Sequence, residues 1–138
     1  TYSGHPTTCA VALATLDIIK SEDLPGQAAT NGEAMLQKYR DALESHPHVG
    51  NIRGKGMMHG IEIVKDKATK ETFTDEESNR LLRDLLTPTL FTNGLYCRAD
   101  DRGDPVIQLA PPLICGQAEF DEMEQIIRAA VLEAQAAL

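Results

Sequence analysis

Pro111 and Pro112 close the most constraining stretch of the chain, Gly94 to Leu113, in which two apolar runs flank a polar turn. The runs are Leu95 to Ala99 and Val106 to Ala110. Between them, Asp100, Asp101, Arg102, Gly103 and Asp104 have turn chemistry, because glycine permits positive φ and aspartate side chains bond their own backbone. The stretch therefore predicts a β-hairpin. Neither proline can donate to a ladder, so the second strand ends there and leaves the sheet. Arg98 is thereby placed near one end of a sheet, beside a stiff turn.

The remaining segments supply partners for that hairpin. Pro6 suits the first turn of a helix, where its missing N–H has no helical partner anyway. Cys9, Leu13, Leu16 and Ile19 recur at helical spacing, and Val11, Ala12 and Ala14 make the other faces apolar too, which predicts a largely buried helix ended by Leu24-Pro25-Gly26. A second helix is predicted from about Ala28 to Glu44, with Met35, Tyr39 and Ala42 inward, closed by His46-Pro47. Val49 to Arg53 and Met57 to Val64 read as strands around Gly54-Lys55-Gly56. Met57 and Met58 alternate faces there, as core fillers would. Thr74 and Glu77 match a capping box, followed by Leu81, Leu82, Leu85 and Leu86 on an inward face. Pro88 is expected to kink that helix or end its first part, and Asn93-Gly94 to stop it. A last helix spans about Gln117 to Ala136, with Phe120, Met123, Ile127, Ala130 and Ala134 on one side. Two hairpins with helices between and after them predict an α+β domain: an antiparallel sheet of three to four strands with helices packed on one side.

A formal net charge of −8 argues against a nucleic-acid or anionic-membrane partner, since either requires a clustered basic surface. No apolar run reaches membrane-spanning length. The three cysteines, Cys9, Cys97 and Cys115, are odd in number and widely spaced, which fits a reducing cytoplasm. The chain starts without Met, so a segment of a longer protein is expected.

Arg98 has two readings on sequence alone. Its planar, permanently charged fork matches a carboxylate bidentately, and it also fits a surface salt bridge with Asp100, Asp101 or Glu62. Thr1 offers a hydroxyl for a phosphate, or is a frayed terminus. Glu62 suits either a general base of raised pKa or a strand glutamate reaching solvent or Arg53. Arg53-Gly54-Lys55-Gly56 lacks the Walker spacing and reads as a hairpin turn. His5, His46, His48 and His59 form no metal-ligand spacing, so no metal site is expected. No lysine lies in an apolar run that would activate it, so no catalytic residue is assigned within this chain.

Three stretches, Thr1-Tyr2-Ser3-Gly4-His5-Pro6, Ile52 to Glu62, and Gly94 to Arg98 followed by Val106 to Leu113, together resemble the C-terminal part of class III pyridoxal-phosphate aminotransferases, closest to the omega-aminotransferase branch. The resemblance covers essentially the whole chain and implies the small C-terminal domain of a fold type I enzyme. Residues 1–24 would then be a connecting helix from the large domain, and residues 25–138 the small domain. By the same resemblance Thr1 binds the phosphate of the cofactor, pyridoxal phosphate, across a homodimer or higher homo-oligomer interface. Arg98 matches the family's mobile arginine, which binds the substrate carboxylate.

The implied activity is transfer of an amino group from an amine or amino acid to a keto acid such as pyruvate. The family's Schiff-base lysine lies upstream of the threonine stretch, so this chain is expected to lack it and to be inactive alone. The alternatives are a stand-alone small-molecule binding or regulatory α+β module, and a dimerisation domain without a ligand.

Overall fold

A computed structural model describes residues 3–101 and 104–135, with only the backbone of Asp100 and Asp101. Thr1, and Arg102 and Gly103 of the hairpin turn, lie outside the described residues. Helices α1 (Pro6–Ser21) and α2 (Leu24–Leu43) precede strands β1 (Val49–Lys55) and β2 (Met58–Ile63). A long helical stretch follows, made of α3 (Asp75–Arg80), a π-helical segment (Leu81–Leu86) and α4 (Thr87–Thr92). Strands β3 (Arg98–Asp101) and β4 (Asp104–Leu109) and helix α5 (Gln117–Gln135) complete the order. The four strands form one antiparallel sheet in the order β1-β2-β4-β3, which agrees with the α+β architecture expected from the sequence.

One face of that sheet builds the core. Ile52, Ile61, Ile107 and Ala99, one from each strand, pack with Met35 and Tyr39 of α2, Leu81 and Leu86 of the π segment, and Phe120 and Ile127 of α5. Full burial of each large apolar side chain contributes about 1.5 to 3 kcal/mol, so these contacts fix the helices on the sheet. Lys38 of α2 also pairs with Asp121 of α5.

Helix α1 departs from the sequence expectation. Its apolar spacing predicts burial, yet the helix has no buried residue, and Val11, Leu13, Leu16 and Ile18 are all more than half exposed. Nothing within the described residues covers its outer faces. The segment Leu24-Pro25-Gly26 also has a different role: α1 ends at Ser21, Asp23 turns the chain at φ 48°, and Leu24 and Pro25 open α2. Proline is tolerated there because the first helical N–H groups have no internal acceptor. In a monomeric sample, the α1 amides are expected to exchange at least about 100-fold faster than those of β2 and β4, because helix opening exposes no buried core. Hydrogen exchange checks this, and uniform strong protection of α1 would contradict it.

The capping box at Thr74 forms as the sequence predicts. The Glu77 N–H donates to Thr74 Oγ1 at 3.3 Å, and the Thr74 N–H donates to Glu77 Oε2 at 3.0 Å. Lys65 Nζ also donates to Glu77 Oε1 at 2.8 Å, and that bond together with the Thr74 N–H holds the carboxyl down at about 2. Since the folded value is depressed, the associated stability is present above the ordinary value of 4.5 and lost as pH falls through about 2. Thr74→Ala is expected to cost about 1 kcal/mol in denaturant titration and to move the Glu77 titration upward, as seen by carbon NMR. An unchanged midpoint would remove the cap from the account.

Pro88 sits in the first turn of α4, directly after the π-helical segment, so the helical stretch changes type at the proline and continues past it. It lacks the N–H that would bond the carbonyl of residue 84, and the turn before it widens, so that the Thr87 N–H reaches the Leu82 carbonyl. Leu81, Leu82 and Leu86 are buried on this stretch and Leu85 is half-buried. Gly94, at φ 92°, then stops the helix as expected: the Gly94 N–H bonds the Phe91 carbonyl and the Leu95 N–H bonds the Leu90 carbonyl.

Both hairpins are tighter than the sequence suggests. Lys55 pairs with Met58, so only Gly56 and Met57 form the first turn, with Gly56 at φ 54°. Met57 is buried, whereas Met58 is 71% exposed and fills no core. In the second hairpin Asp101 pairs with Asp104, while Leu95 to Cys97 lie outside the ladder. The acidic residues read as turn formers are thus partly strand, because antiparallel pairing satisfies backbone groups that those side chains would otherwise bond.

Candidate substrate-recognition cleft

Arg98 begins β3 and pairs with Gln108 of β4, one residue before the buried Ala99. Strand alternation therefore turns its side chain away from the core. It is exposed and lines a cleft of about 760 Å³. The register extends the same line of residues inward: Gln108 pairs with Gly60, and Gly60 with Arg53. A second arginine thus lines the same cleft. Arg53 Nη1 donates to Glu62 Oε2 at 3.3 Å, which identifies Glu62 as the strand glutamate reaching Arg53. Among the described side chains, no carboxylate forms an ion pair with Arg98.

The opposite wall is apolar. Leu95, Cys97, Leu109, Met123 and Ile126 line it, with Pro111 and Pro112 at the rim. Burial raises the Cys97 thiol to about 11, which leaves it protonated and a poor nucleophile at neutral pH. Glu119 and Glu122, from the start of α5, also border the cleft. Glu119 accepts the Gly116 N–H at 2.8 Å, and that bond lowers its carboxyl.

His59 forms the inner floor. It is 5% exposed, stands edge-on to Tyr39 with ring centroids 6.0 Å apart, and lies against Gly54. Burial lowers its pKa, although the Gly56 and Gly32 carbonyls oppose the shift without reaching hydrogen-bond geometry. The imidazole is therefore neutral at pH 7. A cationic rim over an apolar wall and a neutral floor suits a small molecule with an anionic end and an apolar remainder.

Arg98 is the sequence-derived candidate that the described residues place at the cleft; Thr1 lies outside them. Sequence reasoning missed the alignment of Arg53, Gly60 and Gln108 with Arg98. That line depends on β2 pairing with β4, nearly fifty residues apart in the chain, and strand alternation alone does not give the register. Among the described residues, no helix is long and apolar enough to cross a membrane.

The sequence profile of aminotransferase class-III matches residues 1–131. A probable aminotransferase of Mycobacterium tuberculosis is 52% identical over 133 residues, covering 96% of this chain and 28% of the relative. The putrescine–pyruvate aminotransferase of Pseudomonas aeruginosa is 38% identical, covering 100% of this chain and 29% of its own length. The fold is also that of the matched part of a thermostable (S)-enantioselective omega-transaminase from Thermomicrobium roseum: the TM-score is 0.85 at 41% identity, over 97% of this chain and 28% of that one. The chain thus spans less than a third of the length of these proteins. With sequence and fold in agreement over nearly all its residues, the chain belongs to the class III aminotransferases.

Proposed function

We propose that the longer protein represented by this segment is a pyridoxal-phosphate-dependent aminotransferase that moves an amino group from an amine or amino acid to a keto acid such as pyruvate. In this reading it works in the cytoplasm as a homodimer or higher homo-oligomer, with residues 1–24 as a connector and residues 25–138 as the small domain. The observation that carries the proposal is the position of Arg98 at the mouth of an otherwise largely apolar cleft, in a chain of this family. Bound pyridoxal phosphate supplies the electron sink that lets the amino group pass between substrates.

The residues here suit recognition. Among the described residues the cleft lining carries arginines, which fit the carboxylate of a substrate. Arg98 holds the carboxylate and orients the amino or keto carbon, while the apolar wall packs the substrate side chain and excludes water. Thr1 remains the proposed residue for the cofactor phosphate, by its place in the family's threonine stretch. The putrescine–pyruvate relative supports a keto acid of pyruvate type as acceptor.

The test uses the full-length enzyme loaded with cofactor, an amine donor and pyruvate, with alanine formation as the readout. Formation of alanine that depends on the donor is expected, and no transfer to any keto acid would overturn the reading. The 138-residue chain alone, treated with pyridoxal phosphate and borohydride, is expected to retain no stoichiometric label on a single lysine by peptide mapping.

A further inference from the structure

His46 lies in the turn between α2 and β1, and its ring is set to accept a hydrogen bond. The His48 N–H donates to His46 Nδ1 at 3.2 Å, so Nδ1 is bare and the neutral ring keeps its proton on Nε2. That Nε2 is buried beside the Gln135 amide of α5 without reaching hydrogen-bond geometry. The His48 ring, with its centroid 5.9 Å away, is set the opposite way: its Nδ1 meets the Val64 carbonyl at 3.2 Å and the Lys65 carbonyl at 2.9 Å, so it donates. Further bonds tie the same two segments. The Lys67 N–H donates to the Pro47 carbonyl at 3.1 Å, the Val64 N–H to the His48 carbonyl at 2.8 Å, and Lys67 Nζ to the Glu44 carbonyl at the end of α2.

We propose that this junction is an acid-released latch, in which protonation of His46 frees the turn of residues 44–48 from the loop of residues 65–71 while the sheet stays folded. A proton on Nδ1 converts the acceptor into a donor, so two N–H groups oppose each other across 3.2 Å and the bond from His48 is lost. Burial is the largest influence holding His46 below its ordinary value of 6.5, and the neighbouring His48 and Lys67 act in the same direction. The Gln135 amide acts against them, and among the described residues no carboxylate is paired with His46. Since the folded value is depressed, the latched state is fully stable above 6.5 and loses stability as pH falls below it, until the folded ring itself takes up the proton. None of residues 44–48 and 65–71 is buried, so the two segments part without opening the core.

The test is hydrogen exchange of the full-length protein by mass spectrometry from about pH 5 to about pH 8, corrected for the pH dependence of intrinsic exchange. In peptides covering residues 44–49 and 65–71, opening is expected to be flat above about pH 7.5 and to rise by up to about tenfold per pH unit below 6.5. Peptides from β2 and β4 should not respond. His46→Asn keeps an acceptor oxygen in the place of Nδ1 but does not titrate, so its opening should be low and independent of pH. His46→Ala should be open across the range. His48→Asn keeps a donor for the two carbonyls and should retain the response. Opening that is flat with pH in the wild type, or a response that survives in His46→Asn, would overturn the latch. A response lost in His48→Asn would assign the proton to His48 and overturn it as well.

Discussion

Replacing Gly32 with alanine is expected to destabilise the domain by about 2 to 3 kcal/mol, within the range for overpacking of a close-packed contact. A Cβ built on Gly32 would lie 1.9 Å from the Gly56 carbonyl oxygen and 2.3 Å from the Gly56 carbonyl carbon. Both atoms are backbone, so no side chain can rotate away. Either α2 must lift from the β1–β2 turn or the turn must move, and Gly56 holds that turn at φ 54°. Lifting α2 would loosen Met35, Leu36 and Tyr39, which are buried against the sheet. Alanine's better intrinsic helix propensity returns only about 1 kcal/mol. Urea titration of the wild-type and Gly32→Ala chains measures the difference, and an unchanged or higher midpoint would show that the helix packs less closely than described. The same movement would shift His59, so the floor of the cleft should report it through the imidazole resonances.

Gly32 also marks a limit of what the sequence can disclose. In the pattern it is only a glycine inside a helix, because the carbonyl it meets is more than twenty residues away. Local chemistry was legible where the partner is near in the chain: Thr74 with Glu77, Gly94 at a helix end, and Phe120, Met123 and Ile127 spaced along α5. Element type followed from periodicity, and the α+β class followed from element order. Helix α1 could not be judged the same way, since its apolar faces predict burial but do not name what covers them. At Pro88 the sequence shows the missing donor but not how the chain absorbs it, which is through a widened π turn just ahead of α4. In the candidate site, Arg98 was visible through its place beside the hairpin, while Arg53 required the register of the central strands. Turn residues Asp101 and Asp104 were assigned to the loop because their side chains favour turns, and ladder pairing overrode that preference.

Arg98→Ala in the full-length enzyme is expected to lower kcat/KM for amino acid and keto acid substrates by about 10- to 150-fold, which corresponds to the roughly 1.5 to 3 kcal/mol of hydrogen bonds made to a charged group. An aryl or alkyl amine presents no carboxylate to the fork, so its half-reaction should change much less. Arg98→Lys keeps the charge but loses the planar pair of donors, and should recover only part of the loss. Overall turnover with pyruvate mixes the two half-reactions and hides the contrast. The account is therefore tested most directly by single-turnover kinetics of each half-reaction, wild type against Arg98→Ala, with one carboxylate donor and one carboxylate-free amine. A selective loss for the carboxylate donor is the predicted result; equal losses for both would mean that Arg98 supports the fold or the subunit contact and does not read the substrate.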